Sequence, residues 1–262
     1  MSDPWDVLTD VQQRVARAFV AEREAERRHL VVYLSGAHAY GFPSPDSDLD
    51  LKCVHIAPTR ELVGLDLPSE PNDRIEVREG VELDYGSNEL APVLRGCLKG
   101  NGNYLERILG TLALGGDLAL LATLRPLVHA VLSRRVAKHY GGFAASQLRL
   151  FDDKPTAKRA LYVLRTAATG RCLLATGVLE TDVARLAAYL PTELHELMVL
   201  KRTGERQQLD PEHAAVWRTR LEAAVRESDR GWPTSVLPTE PPAEAVAALD
   251  AWLREVRHAH WD

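Results

Sequence analysis

Apolar side chains recur along this chain first at helical spacing, then with a period of two, then at helical spacing again, and that succession predicts its architecture. From about Asp6 to His29, Val7, Leu8, Val11, Val15, Ala18 and Phe19 fall on one stripe among arginines and glutamates, which predicts an amphipathic helix. Leu30-Val31-Val32-Tyr33-Leu34 is a short β-branched, apolar run stopped by Ser35-Gly36-Ala37, a buried strand followed by a tight turn. A second strand is predicted over Leu49 to Ile56, after the Pro/Ser/Asp-rich loop Phe42 to Ser47. Arg74 to Tyr85 alternates on both sides of Glu79-Gly80, the pattern of a hairpin with a two-residue loop.

Beyond Gly86 the spacing is helical through Glu89 to Leu98, Tyr104 to Leu114 and Leu118 to His139, and no further strand is expected. Trp232 to Pro242, with four prolines, reads as a connector before a final helix from about Ala243 to His258. The expected fold class is α/β (α+β): an N-terminal domain with a mixed sheet over residues 1–114, then a helical C-terminal domain over 115–262.

A hydrophobic content of 45% over 262 residues fills one large core or two ordinary ones. The opening Met1-Ser2-Asp3-Pro4-Trp5-Asp6 lacks the pattern of a signal peptide, and the apolar stretch Leu112 to Leu124 is broken by Gly115, Gly116 and Asp117. A cytoplasmic protein with no membrane partner is expected. Cys53, Cys97 and Cys172 are widely spaced, with no CxxC pair, and read as reduced structural thiols. Charge changes the picture more. Between Asp117 and Arg171 ten basic residues face three acids, so this segment carries +7 while the remainder carries −12. Either the segment faces something negative, such as a triphosphate, RNA or the acidic part of the same chain, or it forms solvated helix faces.

The chemistry-bearing residues cluster around Gly36-Ala37-His38-Ala39-Tyr40-Gly41 and Ser47-Asp48-Leu49-Asp50-Leu51. On a strand, side chains two apart share a face, so Asp48 and Asp50 lie together while Leu49 and Leu51 pack beneath. Adjacent carboxylates repel unless a divalent cation sits between them or one is protonated, and an oxygen-lined magnesium site accounts for the pair. The same alternation in the hairpin offers Glu82 or Asp84 as a third acid. Three carboxylates on two strands suit two magnesium ions, which activate an attacking hydroxyl and neutralise triphosphate charge as pyrophosphate leaves. Glycines at 36 and 41 let backbone N–H groups approach phosphate oxygens.

Gly36-Ala37, Asp48, Asp50 and Asp84 together resemble the signature of the DNA polymerase beta-type nucleotidyltransferase superfamily, a Gly-Ser turn followed by an Asp-x-Asp strand and a later strand with a third acid. More narrowly, the chain resembles the branch predicted to work in RNA repair. That likeness rests on Ala39-Tyr40-Gly41, Pro45-Asp46-Ser47-Asp48, the run from Lys99 to Glu106, Tyr140-Gly141-Gly142-Phe143-Ala144, Tyr162-Val163-Leu164-Arg165 and Leu173-Leu174-Ala175-Thr176-Gly177. It spans Leu30 to Gly177.

The resemblance implies a nucleoside triphosphate substrate, two Mg2+ ions and an RNA end as acceptor. It also selects Asp84 as the third acid beside Asp48 and Asp50. Asp48 and Asp50 are expected to bind both ions, and Asp84 to ligate the catalytic one and to orient or deprotonate the acceptor hydroxyl. Ala37 stands where the superfamily has its turn serine, with Ser35 or Ser47 as the compensating hydroxyl in a nucleotide site that includes Gly36 and Ala37.

Lys158, Tyr162 and Arg165 fall at i, i+4 and i+7 on one helix face, either to grip phosphates or a base or as a basic face with Tyr162 tucked inward; Arg171 lies close to the same stripe. His38 reads as a turn or phosphate-side histidine, with no acid or hydroxyl at the spacing a general base needs, and Asn101, Asn103 and Glu106 lie at a helix start where capping competes with substrate contact. An antibiotic-modifying enzyme, a protein-nucleotidylating toxin and a tRNA-end polymerase need the same carboxylates. A nucleotide-sensing or RNA-binding module without turnover is the reading from another class.

Overall fold

The computed structural model of the chain describes residues 3–65, 72–202, 208–230 and 232–262, and the following account concerns these. After a 3-10 turn at Pro4–Val7, α1 (Asp10–Glu26) starts at Thr9, whose side chain accepts from the Gln12 backbone while Gln12 reaches back to the Thr9 backbone, a capping box. β1 (Arg28–Leu34) leads into the helical turn α2 (Gly36–Ala39), then β2 (Leu49–Ile56) and the short α3 (Thr59–Leu62). β3 (Asn72–Arg78) and β4 (Val81–Glu89) form the hairpin, closed by Glu79 at φ 49° and Gly80 at φ 79°. Two consecutive positive φ values match the right-handed twist of the flanking strands.

α4 (Leu90–Leu98), α5 (Gly102–Leu109), β5 (Ala113–Gly115) and α6 (Leu118–Ala130) follow. The remainder is helical: α7 (Val136–Asp153), α8 (Ala157–Thr176), α9 (Leu194–Arg202), α10 (Pro211–Arg230) and α11 (Ala243–Ala259). Asn101 caps α5 by accepting from the Asn103 N–H at 3.0 Å, so capping is what that glycine-rich turn does.

The strands form one mixed five-stranded sheet in the order β3-β4-β2-β1-β5, with β2 and β4 parallel and the other pairs antiparallel. β5 corrects the expectation of no strand beyond the hairpin. It takes Ala113 and Leu114 out of the helix predicted to run to Leu114, and at three residues it is too short to show an alternation. The helix predicted over Leu118 to His139 is likewise two helices, interrupted between Ala130 and Val136.

The chain divides into two compact units, one of residues 1–38, 48–131 and 241–262, the other of 39–47 and 132–240. In the first, α1 covers one face of the sheet with Val15, Phe19 and Val20 against Leu49, Leu51, Leu83 and Tyr85. α4, α5 and α6 pack on the sheet as well, and α11 joins α6, with the Trp252 indole donating to Thr123 Oγ1 at 3.0 Å. In the second, α7, α8 and α10 pack on one another around buried Tyr140, Leu221 and Trp217. Among the described residues no helix is long and apolar enough to cross a membrane. All three cysteines are buried and free, and burial pushes the thiols of Cys53 and Cys97 up to about 12.

Toward the His29 end of the sheet the layer beneath α1 turns polar. His29 Nε2 meets the Tyr85 hydroxyl at 2.8 Å and His55 Nδ1 meets Ser87 Oγ at 2.8 Å. Burial, reinforced by Arg27 and His55, holds the His29 pKa down at about 4; burial with Arg27 and Arg257 does the same for His55. Both imidazoles are therefore neutral in the fold and protonate in the unfolded chain below about 6.5. Stability is predicted to be intact above that value, to fall as pH drops from about 6.5 to about 4, and to level off below. Between pH 7 and pH 4.5, His29→Gln and His55→Gln should each lose less stability than wild type, by on the order of 2 kcal/mol, in urea denaturation. Identical pH dependence in all three proteins contradicts this.

Candidate active site on the sheet

Alternation along three neighbouring strands builds the site. On the sheet face away from α1, Asp50 of β2 stands opposite Asp84 of β4, which stands opposite Ile75 of β3. One step along the strands the register pairs are Lys52 with Gly86 and Gly86 with Asp73; one step the other way Glu82 pairs with Val77. Asp48 immediately precedes β2. Leu49, Leu51, Leu83 and Tyr85, the intervening residues, are buried on the α1 side, so core burial on one face fixes which side chains the other face presents.

The two central acids are held differently. Asp50 lies against the turn at Gly36, whose φ is +64° and where an added Cβ would stand 1.8 Å from Asp50 Oδ2. The same turn is tied to β2 by the Ser35 N–H donating to the Asp50 carbonyl at 2.8 Å. Only glycine meets both requirements, a left-handed backbone and no side chain. Asp84 is engaged by Lys52, whose Nζ is 2.7 Å from Asp84 Oδ1, with side chains 25% and 33% exposed. Gly86, opposite Lys52, has no side chain; a Cβ there would meet Asp73 Oδ1 at 2.7 Å and Lys52 Cδ at 3.8 Å, so the lysine stem and the Asp73 carboxylate share the space above it. Farther along the same face Arg107 of α5 donates to Asn88 Oδ1 at 2.5 Å and to the Cys53 carbonyl at 3.2 Å, and burial lowers its pKa.

The predicted residues thus fall into two groups. Asp50 and Asp84 are brought together, with Gly36 against Asp50; Glu82 is exposed beside Val77 in the hairpin. Among the described residues no three His, Cys, Asp or Glu side chains converge as a ready metal cluster. The donor set still fits a hard cation: two carboxylates in register on adjacent strands, with a lysine ammonium already drawn between the strands as a cationic stand-in. Ala37 and His38 are buried.

Ser47 belongs to the 39–47 loop of the second unit, where its hydroxyl accepts from the Ser44 N–H at 2.9 Å and from Lys201 Nζ at 3.1 Å. Lys201, 1% exposed, also donates to Ser44 Oγ at 3.1 Å. No spacing in the sequence marked it, because it follows an apolar helical run like any terminal lysine. The space over Gly41, at φ +80°, is taken by the Asp182 carboxylate, so this glycine admits a side chain of its own chain.

Lys158, Tyr162 and Arg165 all sit on α8. Arg165 is 2% exposed and lies 3.6 Å over the Tyr40 ring, and Tyr162 packs edge-on against Tyr40 and Phe42. For Arg165 and Tyr162 the stripe is an aromatic and guanidinium cluster, not a solvated face. Lys158 is half-buried.

The basic segment is also largely engaged within the chain. Arg125 donates to the Ile108 and Gly110 carbonyls, Arg134 to those of Leu237 and Ser235, and Arg135 and Arg171 pair with Glu240 and Glu227. Lys138, Arg149 and Lys154 are exposed. A cavity of about 1210 Å³ in the first unit lies apart from the acids, lined among others by His29, His55, Glu89, Asp117 and Arg257. The carboxylate geometry, not cavity size, identifies the candidate site.

The profile of the RNA repair pathway DNA polymerase beta family (RlaP) matches residues 11–255. An uncharacterized protein of Methanocaldococcus jannaschii is 26% identical over 155 residues, covering 58% of this chain and 63% of that relative, so the match spans less than two thirds of its length. A crystal structure of a nucleotidyltransferase-like protein from Exiguobacterium sibiricum 255-15 aligns with 93% of this chain and 78% of its own, at 11% identity and a TM-score of 0.34.

The seating of Asp50 on Gly36 yields a stability prediction. Gly80→Ala, at a positive φ but with open space around it, should cost about 1 kcal/mol from backbone strain. Gly36→Ala adds displacement of the Asp50 carboxylate to the same strain and should cost at least about 2–3 kcal/mol in urea denaturation. Equal losses would show that Asp50 does not rest on this turn.

Proposed function

Because this chain belongs to the RNA repair pathway DNA polymerase beta family, we propose that it is a magnesium-dependent nucleotidyltransferase that moves a nucleotidyl group from a nucleoside triphosphate to the hydroxyl of an RNA end. Family membership supports a polymerase beta-type nucleotidyltransferase; the nucleoside triphosphate, the metal, the acceptor and the residue roles are our reading. The observation that carries it is the pairing of Asp50 with Asp84 in register on the face away from α1, with the Gly36 turn against Asp50.

In this reading Asp48, Asp50 and Asp84 would hold two Mg2+ ions, which would supply charge neutralisation on the triphosphate and a more acidic acceptor hydroxyl. Asp84, at the middle of β4, orients that hydroxyl toward the α-phosphorus and takes up its proton. The acceptor oxygen bonds to the α-phosphorus, the bond from that phosphorus to the bridging oxygen of the β-phosphate breaks, and pyrophosphate leaves with the bond's electrons. The backbone at Gly36 and Ala37 is the nucleotide contact we assign beside the acids; the Ser47 hydroxyl, bonded to Ser44 and Lys201, is not assigned one.

The second unit supports the reading through its own features. Half-buried Lys158, beside Tyr162 and Arg165, is a phosphate-binding candidate, and exposed Lys138, Arg149 and Lys154 supply the positive charge that an RNA backbone needs. A cytoplasmic location agrees with three free, buried thiols.

The test is Mg2+-dependent pyrophosphate release from each of the four nucleoside triphosphates, with and without total RNA. Asp48→Asn, Asp50→Asn and Asp84→Asn should each lower the rate by at least about a hundredfold, while Glu82→Gln stays within a few fold of wild type. Release that requires no RNA moves the acceptor to a protein or small molecule, and no release from any triphosphate leaves a nucleotide-sensing or RNA-binding module. A Lys138→Ala/Arg149→Ala double variant should bind RNA more weakly and with a shallower salt dependence at unchanged KM for the triphosphate. Unchanged RNA affinity would assign those cations to plain surface.

A further inference from the structure

The acid face of the sheet carries a cation of its own, placed by the same alternation that places the acids. Asp48, Asp50 and Lys52 follow one another at intervals of two, so the lysine emerges one step from Asp50 on the same face. Its ammonium is 2.7 Å from Asp84 Oδ1 and 3.4 Å from the Asp84 carbonyl, which puts it against the carboxylate that pairs in register with Asp50. Asp50 is pressed on the Gly36 turn, and Asp84 is fixed in a strand paired on both sides. Two carboxylates so placed repel unless one takes up a proton or a positive charge lies nearby, and in this structure Lys52 supplies that charge. The lysine, with four flexible methylenes and a single charge, is the part of this arrangement that can move.

There is also a place for it to go. Gly86 stands between Lys52 and Asp73 in the register, and the Asp73 carboxylate and the Lys52 stem both lie against it. A short swing across the glycine would carry the ammonium from Asp84 toward Asp73.

We propose that Lys52 is a resident counter-ion that occupies Asp84 in the metal-free protein, yields it to the entering divalent cation and moves toward Asp73, so that Lys52 sets the metal affinity of the site. The inference rests on the nucleotidyltransferase reading above and makes Lys52 a positioning residue. It explains how the acids remain together without metal: metal entry exchanges a monovalent contact for a divalent one. The affinity is thereby lowered to a range in which the metal accompanying a triphosphate, with its own negative charge, fills the site more readily than free metal does.

The experiment is titration of the full chain with Mn2+, followed by electron paramagnetic resonance, without nucleotide. Lys52→Gln and Lys52→Met, two variants of different polarity in case one folds poorly, should bind Mn2+ on the order of tenfold more tightly than wild type, because a positive charge beside the ion is gone. Lys52→Arg should stay near wild type. Asp73→Asn should weaken binding about two- to threefold, since the displaced ammonium loses its second partner. Without metal, Lys52→Gln should melt at a lower temperature than wild type and gain more on adding Mn2+. A purely structural lysine would lower the melting temperature without tightening the metal, so equal or weaker Mn2+ affinity in both charge-removing variants overturns the inference. Asp84→Asn separates the two levels of the account. If it abolishes Mn2+ binding while the Lys52 variants do nothing, the lysine role fails and the metal site stands; if wild type and Asp84→Asn bind alike, both fail.

Discussion

Two carboxylates cannot be set side by side on neighbouring strands without a cost, and much of this protein's first unit accommodates that constraint. The parallel pairing of β2 with β4 puts Asp50 opposite Asp84. That register is locked from the other side of the sheet, where Leu49, Leu51, Leu83 and Tyr85 are buried under α1; a slip by one residue would send the acids into the core and the leucines out. Hydrophobic burial thus supplies the force that holds like charges together. The Gly36 turn and Lys52 are the local devices that make the arrangement tolerable: one removes a side chain where Asp50 must lie, the other brings a positive charge to Asp84.

The flanking residues extend this economy of placement. Gly86 leaves an open position between Lys52 and Asp73, and Arg107, bound to Asn88 and the Cys53 carbonyl, fixes a second cation farther along the same face. Ile75 and Val77 on the edge strand are 74% and 65% exposed, so the acids are bordered by apolar surface on one side and by cations on the other. Such a face suits a substrate with both a charged and an uncharged part, as a nucleotide has. In the second unit Lys201 is enclosed with Ser44 and Ser47, and Asp182 lies over Gly41; both anchor the 39–47 loop within that unit.

The parts legible in the sequence were those governed by short-range periodicity. β2 spans Leu49–Ile56 as the alternation indicated, the hairpin turns at Glu79-Gly80, and the shared face of Asp50 with Glu82 and Asp84 followed from counting by two. The choice of Asp84 came from family resemblance, and the register adds a physical reason, because Asp84 and not Glu82 stands opposite Asp50. What escaped depends on long-range contact. β5 is three residues long and exists through its pairing with Val32 and Tyr33, and Lys201 is buried by a loop more than 150 positions earlier in the chain. The charge excess between Asp117 and Arg171 was visible, but not that arginines 125, 134, 135 and 171 bind carbonyls and acids of their own chain. Lys52 was in plain view two residues after Asp50, unremarked because a lone lysine on a strand carries no signature until its partner is known.

The central claim is that Asp50 and Asp84 act as one cation-holding pair on the sheet face away from α1. It is tested most directly by anomalous diffraction from crystals soaked in Mn2+. The account predicts a peak about 2.0–2.3 Å from carboxylate oxygens of both residues, with the Lys52 ammonium withdrawn from Asp84. A metal peak elsewhere on the molecule, or none at saturating Mn2+ with Lys52 still bound to Asp84, would contradict it.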